Sequence, residues 1–208
     1  MKRPVTQFGG WPLVGWCALV LTGMAAAMLA WYGVGELGWR MVIRRTAETS
    51  FVLFLGVFTA SALARTWPGP LSRWMLRNRR YLGVSFAVSH TLHLIAILAL
   101  ARTLGDQFRL DRITLLFGGL AYVFIAAMTA TSFDRTAAWL GPRAWNQLHR
   151  IGVHYLWFIF ALQYVGLLTR SLWYAPFTAA VMAAMGLRVA SWLSSRRMLV
   201  TSAPASTR

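Results

Sequence analysis

The four histidines of the chain fall in two tight pairs, His90/His93 in SFAVSHTLHLIAIL and His149/His154 in NQLHRIGVHYLWFIF. Both runs are apolar. A histidine inside a membrane-spanning stretch is costly unless it has a partner, so its presence there points to a function. Two helices that carry imidazole can hold a flat metal cofactor between them, because neutral imidazole is a strong axial ligand for haem iron. The alternative is structural: intramembrane histidines also pack and hydrogen-bond between helices, and Tyr155 and Gln163 are available as partners. Zinc suits the pattern less, since no carboxylate or cysteine stands nearby to complete a tetrahedral site.

Helical geometry limits the pairing. His90 and His93 lie about 60° apart around a helix and about 4.5 Å apart in rise. His149 and His154 lie about 140° apart and about 7.5 Å apart in rise. Neither pair can approach one iron from opposite sides, so a six-coordinate haem must take one ligand from each helix. Counting rise from Arg80 and from Trp145 puts His90 about 15 Å, His93 about 20 Å, His149 about 6 Å and His154 about 13 Å into the membrane. On that count His90 and His154 are matched in depth, and His149 lies nearer the surface.

The elements that must position these residues are membrane helices. The 208 residues are 58% hydrophobic and 12% charged, with a mean hydropathy of +0.54, which excludes an ordinary soluble domain. Six apolar stretches are read as spans of about 17–25 residues each: 11–35, 51–64 with its flanks, 81–101, 113–132, 148–168 and 172–192. The expected fold is an all-α, polytopic, six-transmembrane-helix bundle. Its parts are a segment 1–47 with the first span, a core 48–168, a sixth span within 169–193 and a disordered cytoplasmic tail 194–208. Thr66-Trp67-Pro68-Gly69-Pro70 and Leu140-Gly141-Pro142 mark breaks.

The net charge of +16 would suggest nucleic acid in a soluble protein. Here the charges segregate. With six spans, one side receives Lys2, Arg3, Arg65, the cluster from Arg73 to Arg80, Arg135, Arg143, Arg150, Arg188, Arg196, Arg197 and Arg208. The other receives Arg40, Arg44, Arg45, Arg102, Arg109, Arg112 and Arg170 with most of the acids. The positive-inside bias then places both termini in the cytoplasm. Membrane lipid is a sufficient partner for this basicity, and no nucleic acid is expected.

Other chemistries are poorly served. The single cysteine, Cys17, rules out an intrachain disulfide and a CxxCH-attached haem. There is no Walker loop, no GxGxxG after a strand and no HExxH. A flavin or nicotinamide domain does not fit in the short polar segments, so electrons would arrive and leave through partners.

Arg79-Arg80-Tyr81-Leu82-Gly83 leading to His93, Thr131-Ser132, Leu140-Gly141, Trp145, and Leu148-His149-Arg150 with Tyr155 together resemble the ferric-reductase-like transmembrane family. Within it they are similar to the haem-b membrane subunits of bacterial methionine-sulfoxide reductase systems. The resemblance covers roughly residues 48–168. It implies a six-helix bundle in a bacterial-type inner membrane, with b-type haem between the third and fifth spans. His93 and His149 match the family's ligands. It also implies electron transfer from a cytoplasmic flavoprotein or quinol to an acceptor on the far side, with flavin bound only by a partner.

The chain departs from the family pattern where a further histidine is expected 13 or 14 residues after His149, for Leu162 and Gln163 stand there. His90 and His154 are extra. One haem is expected rather than two, with His90 and His154 as an alternative pair. Arg79, Arg80 and Arg150 could meet haem propionates through charge-assisted hydrogen bonds, or serve only as positive-inside anchors. The rival to an electron-transfer protein is a haem-free membrane scaffold or assembly partner of a redox complex. A small transporter fits less well, for no acid lies within a span and no inverted repeat is evident.

Overall fold

A computed structural model describes residues 9–201. Among these the chain forms eight α-helices and two single 3-10 turns, with no strand. The helices are α1 (Trp11–Tyr32), α2 (Glu36–Thr66), α3 (Pro70–Arg77), α4 (Arg79–Leu104), α5 (Arg112–Ala130), α6 (Asp134–Leu140), α7 (Pro142–Leu168) and α8 (Ala175–Thr201). All but the short α3 and α6 are long and apolar enough to cross a membrane. The all-α six-span bundle is what the chain builds, because in lipid each amide must find its partner within its own segment.

Local sequence sets the helix ends. Proline occupies the first turn of α1, α3 and α7, where its missing N–H would have had no partner anyway. Gly141, with φ of +77°, turns the chain from α6 into α7, a backbone state that favours a residue without Cβ. Asp111 opens α5 by accepting a hydrogen bond from the Thr114 amide over 2.8 Å.

Two boundaries differ from the sequence expectation. α2 starts at Glu36, well before residue 51, and carries Arg40, Arg44 and Arg45 on its first turns. Their pairing with Glu36 and Glu48 at helical spacing lets the helix run through its polar stretch. α8 continues to Thr201, past the residue 194 at which a disordered tail was expected. Ser194 and Ser195 donate to the carbonyls of Ala190 and Ser191 and so stay within the helix. Residues 202–208, with Lys2, Arg3 and Arg208, lie outside the described residues.

Packing is uneven around the bundle. α2 lies closely along α4, where Thr46, Ser50, Ser85 and Ser89 are fully buried; small side chains allow such an approach. Ser50 donates to Ser89 over 2.8 Å across that seam. α5 is close to α7, and a Cβ on Gly152 would stand 2.6 Å from the Met128 sulfur. α4 and α7 have almost no direct backbone approach; they meet through Phe86 and Phe160, with ring centroids 6.3 Å apart. At this level and beyond it the centre is filled by a chain of rings, Phe54 on Phe160, Phe160 on Phe51 and Phe51 on Tyr164. Leu19, Val20, Ile113 and Leu116 are exposed on the outside, as faces turned to lipid should be.

Candidate cofactor cavity

The space that α4 and α7 leave between them opens at the end of the bundle where both helices begin. It is a cavity of about 400 Å³, within the range of small-molecule sites. α4 contributes Arg79, Arg80, Gly83 and Phe86; α7 contributes Trp145, His149, Val153 and Leu156. Phe54 and Val57 of α2, Ile125, Met128 and Thr129 of α5, and Thr131 just past its end add to the walls. The lining is apolar within and basic at the mouth, where Arg77 joins Arg79 and Arg80. Gly83 keeps the α4 wall open, since a Cβ built there meets nothing within 4 Å.

His149 is the histidine of this cavity. Its ring stacks on Trp145 with centroids 4.1 Å apart, and its Nε2 lies 3.2 Å from Thr131 Oγ1. The Thr131 hydroxyl already donates to the Ala127 carbonyl over 2.8 Å. It therefore accepts from His149, which assigns the His149 proton to Nε2. Trp145 in turn donates from Nε1 to the Thr131 carbonyl over 2.9 Å. The end of α5 thus fixes both rings at the start of α7.

The arginines divide. Arg80 pairs with the exposed Asp134 over 2.6 Å and lies near the rings of Trp11 and Tyr81, while its Nε is buried without a hydrogen-bond partner. Arg79 is half-buried on the cavity wall. Arg150, expected beside them, is exposed and outside the cavity lining. Its place at the mouth is taken by Arg77, from the short α3.

The other three histidines look elsewhere. On α4 the cavity-facing stripe runs Arg79, Gly83, Phe86 and then His90, whose ring lies 5.2 Å from that of Phe86. His90 is thus above the cavity, in ring contact with His93, Tyr122 and Phe160, and its Nδ1 is buried without a partner. His93 lies on the stripe facing α2. Its Nδ1 is 3.0 Å from the Ile43 carbonyl and 3.1 Å from Thr46 Oγ1, and the Thr46 hydroxyl is itself a donor to Val42. Nδ1 therefore carries the proton and Nε2 the free lone pair. His154 donates from Nδ1 to the Arg150 carbonyl over 2.7 Å and sets its ring edge against Phe58.

These contacts revise the depth count made along each helix from its own start. His90 stands beside Phe160, about 9 Å further along the α7 axis than His154, so His90 and His154 are not level. Rise along each helix from its own start does not contain the offset between the two starts. His93 and His149 are not brought together either: His149 lies level with the first turns of α4, and the deeper level belongs to Phe160 and Tyr164. Gln163, the residue that could have reached toward His93, is on the exposed face of α7. Tyr155 bonds the Phe117 carbonyl rather than a histidine.

One basic residue grouped by charge with the surface anchors lies inside the sixth apolar helix. Arg188 of α8 is half-buried, donates to the Phe58 carbonyl over 2.7 Å and covers the Phe58 ring at 4.5 Å. The signal was an arginine inside an otherwise apolar stretch. No protein-family model, curated protein sequence or solved structure matches this chain.

Proposed function

We propose that this multi-pass membrane protein holds one b-type haem between α4 and α7 and passes electrons across the membrane. The supporting observation is the gap between these helices, with His149 on one wall and arginine at its mouth. The residues present suit such a group in three ways. The interior is apolar enough for a macrocycle, Gly83 leaves room on the α4 wall, and Arg79 with the unpartnered Arg80 Nε would receive propionates. His149 would supply a ligand nitrogen to such a group, once it releases Thr131. A bound haem supplies one-electron chemistry, its potential tuned by ligand identity, burial and hydrogen bonding.

The protein's own part is to orient and to exclude water. Trp145 holds the His149 ring in plane, and Phe54, Phe86 and Leu156 close the space above it. The donor is a cytoplasmic flavoprotein or quinol, and the acceptor lies on the far side. This assignment follows the resemblance and the positive-inside charge bias, which favours both termini in the cytoplasm of a bacterial-type inner membrane. The test is a dithionite difference spectrum of the purified protein with the haem-to-protein ratio. Haem binding that is lost in His149→Ala supports the proposal. A preparation that takes up no haem even after supplementation leaves the haem-free scaffold as the better reading.

A further inference from the structure

Building on the haem proposal, we infer that, among the described residues, His149 is the only protein ligand this cavity offers an iron, leaving the side facing α4 open to a small diatomic ligand. Two axial ligands must approach a haem from opposite faces. The α4 and α2 residues that line the cavity are Arg79, Arg80, Gly83, Phe86, Phe54 and Val57; the two arginines are cations, and the other side chains carry no donor atom. Hydrocarbon cannot ligate iron.

The other described histidines, Met128, Asp134 and the Thr131 and Ser132 hydroxyls are placed otherwise. His90 is separated from the cavity by Phe86 and is enclosed by His93, Tyr122 and Phe160. His93 lies on the stripe facing α2, where its Nδ1 bonds Ile43, and it is outside the cavity lining. His154 faces Phe58, away from His149. The Met128 sulfur packs against Gly152 of α7, on the same wall as His149 rather than opposite it. Asp134 is taken by Arg80 at the mouth. The hydroxyls of Thr131 and Ser132 donate to backbone carbonyls of α5. A haem with a single axial histidine has a vacant sixth position, the arrangement that binds diatomic gases in haem proteins with one proximal histidine.

The experiment uses the full chain, purified with haem, reduced with dithionite and exposed to carbon monoxide. The expected result is carbon monoxide uptake stoichiometric with haem, seen as a shifted Soret band, and a high-spin ferric signal by electron paramagnetic resonance. His90→Ala, His93→Ala and His154→Ala should each keep both the haem and the gas binding. His149→Ala should lose haem, and His149→Gly should regain it on addition of imidazole, which separates lost ligation from lost folding. A low-spin ferric signal with no response to carbon monoxide overturns the inference while leaving haem binding intact. Retention of haem by His149→Ala overturns it as well. A chain that binds no haem at all overturns the proposed function together with it.

Discussion

His93 fastens α4 to α2 through the carbonyl of Ile43, which accepts its Nδ1 proton over 3.0 Å. Thr46 Oγ1 shares the same proton at 3.1 Å. Of the two positions that the family resemblance marks as ligands, this one works here as a clamp between neighbouring helices. Its replacement by alanine should therefore lower stability by about 1–3 kcal/mol, the loss of a buried hydrogen bond and its packing, with haem content unchanged. His93→Asn, which keeps a donor, should lose less. Denaturation of the purified protein in detergent, read beside the haem-to-protein ratio, checks both parts.

Gly83 leaves the α4 wall of the cavity without a side chain. Gly83→Leu should fill that space and exclude haem, yet fold normally. Replacing a helical glycine by leucine favours the helix by up to about 1 kcal/mol. An unchanged or raised melting temperature with haem lost is the expected pair of results. Full haem occupancy in this variant would place the cofactor elsewhere.

Thr131 competes with any metal for His149 Nε2. Thr131→Val removes that contact and costs the free protein one hydrogen bond, roughly 0.5–1.5 kcal/mol. The same energy no longer has to be lost on binding, so haem affinity should rise by a few-fold up to about tenfold. Titration of the apoprotein with haem measures it, and weaker binding would assign Thr131 a supporting role instead.

Gly38 is the tightest glycine of the fold. A Cβ there would stand 2.0 Å from the Gly33 carbonyl oxygen and 3.2 Å from Leu29 Cδ2. The obstacle is backbone, so the α1–α2 turn has to move as a whole. Gly38→Ala should cost about 1–3 kcal/mol, and α1, which is barely buried against the rest, should become the first segment cut by protease. Resistance equal to that of the parent protein would contradict this.

Asp111 carries the pH dependence that can be assigned outside the spans. The Thr114 hydroxyl and amide hold its carboxyl below the ordinary carboxylate value. A folded-state value below the unfolded one means the cap stabilises α5 above the unfolded pKa and is lost as pH falls through the folded one. Melting temperature should therefore fall on acidification less steeply in Asp111→Ser, which caps without titrating, than in the parent. Parallel pH profiles for the two proteins would remove Asp111 from the acid response.

Much of the fold was legible from residue types alone. Apolar runs too long for a soluble core require membrane helices, and the breaks at Gly69-Pro70 and Gly141-Pro142 fall where the chain turns. The polar first turns of α2 and the last turns of α8 were not legible as helix from hydropathy. What carries the start of α2 is local pairing, such as Arg44 with Glu48, which an apolar count does not register.

The site divides along the same line. Residue types and spacing alone put the histidines on two membrane helices and show that neither pair can ligate one iron by itself. Spacing along a single helix fixes angle and rise, and those two facts follow from it. Which histidine faces which neighbour depends on the rotation and offset of one helix against another, and only packing sets these. Ser50 and Ser89 draw α2 onto α4 and turn His93 toward α2; Gly152 admits Met128 and draws α5 onto α7, leaving α4 and α7 apart. Tertiary structure therefore decided that His149 lines the cavity, that His90 and His154 are not level, and that the arginines at the mouth are Arg77, Arg79 and Arg80 rather than Arg150.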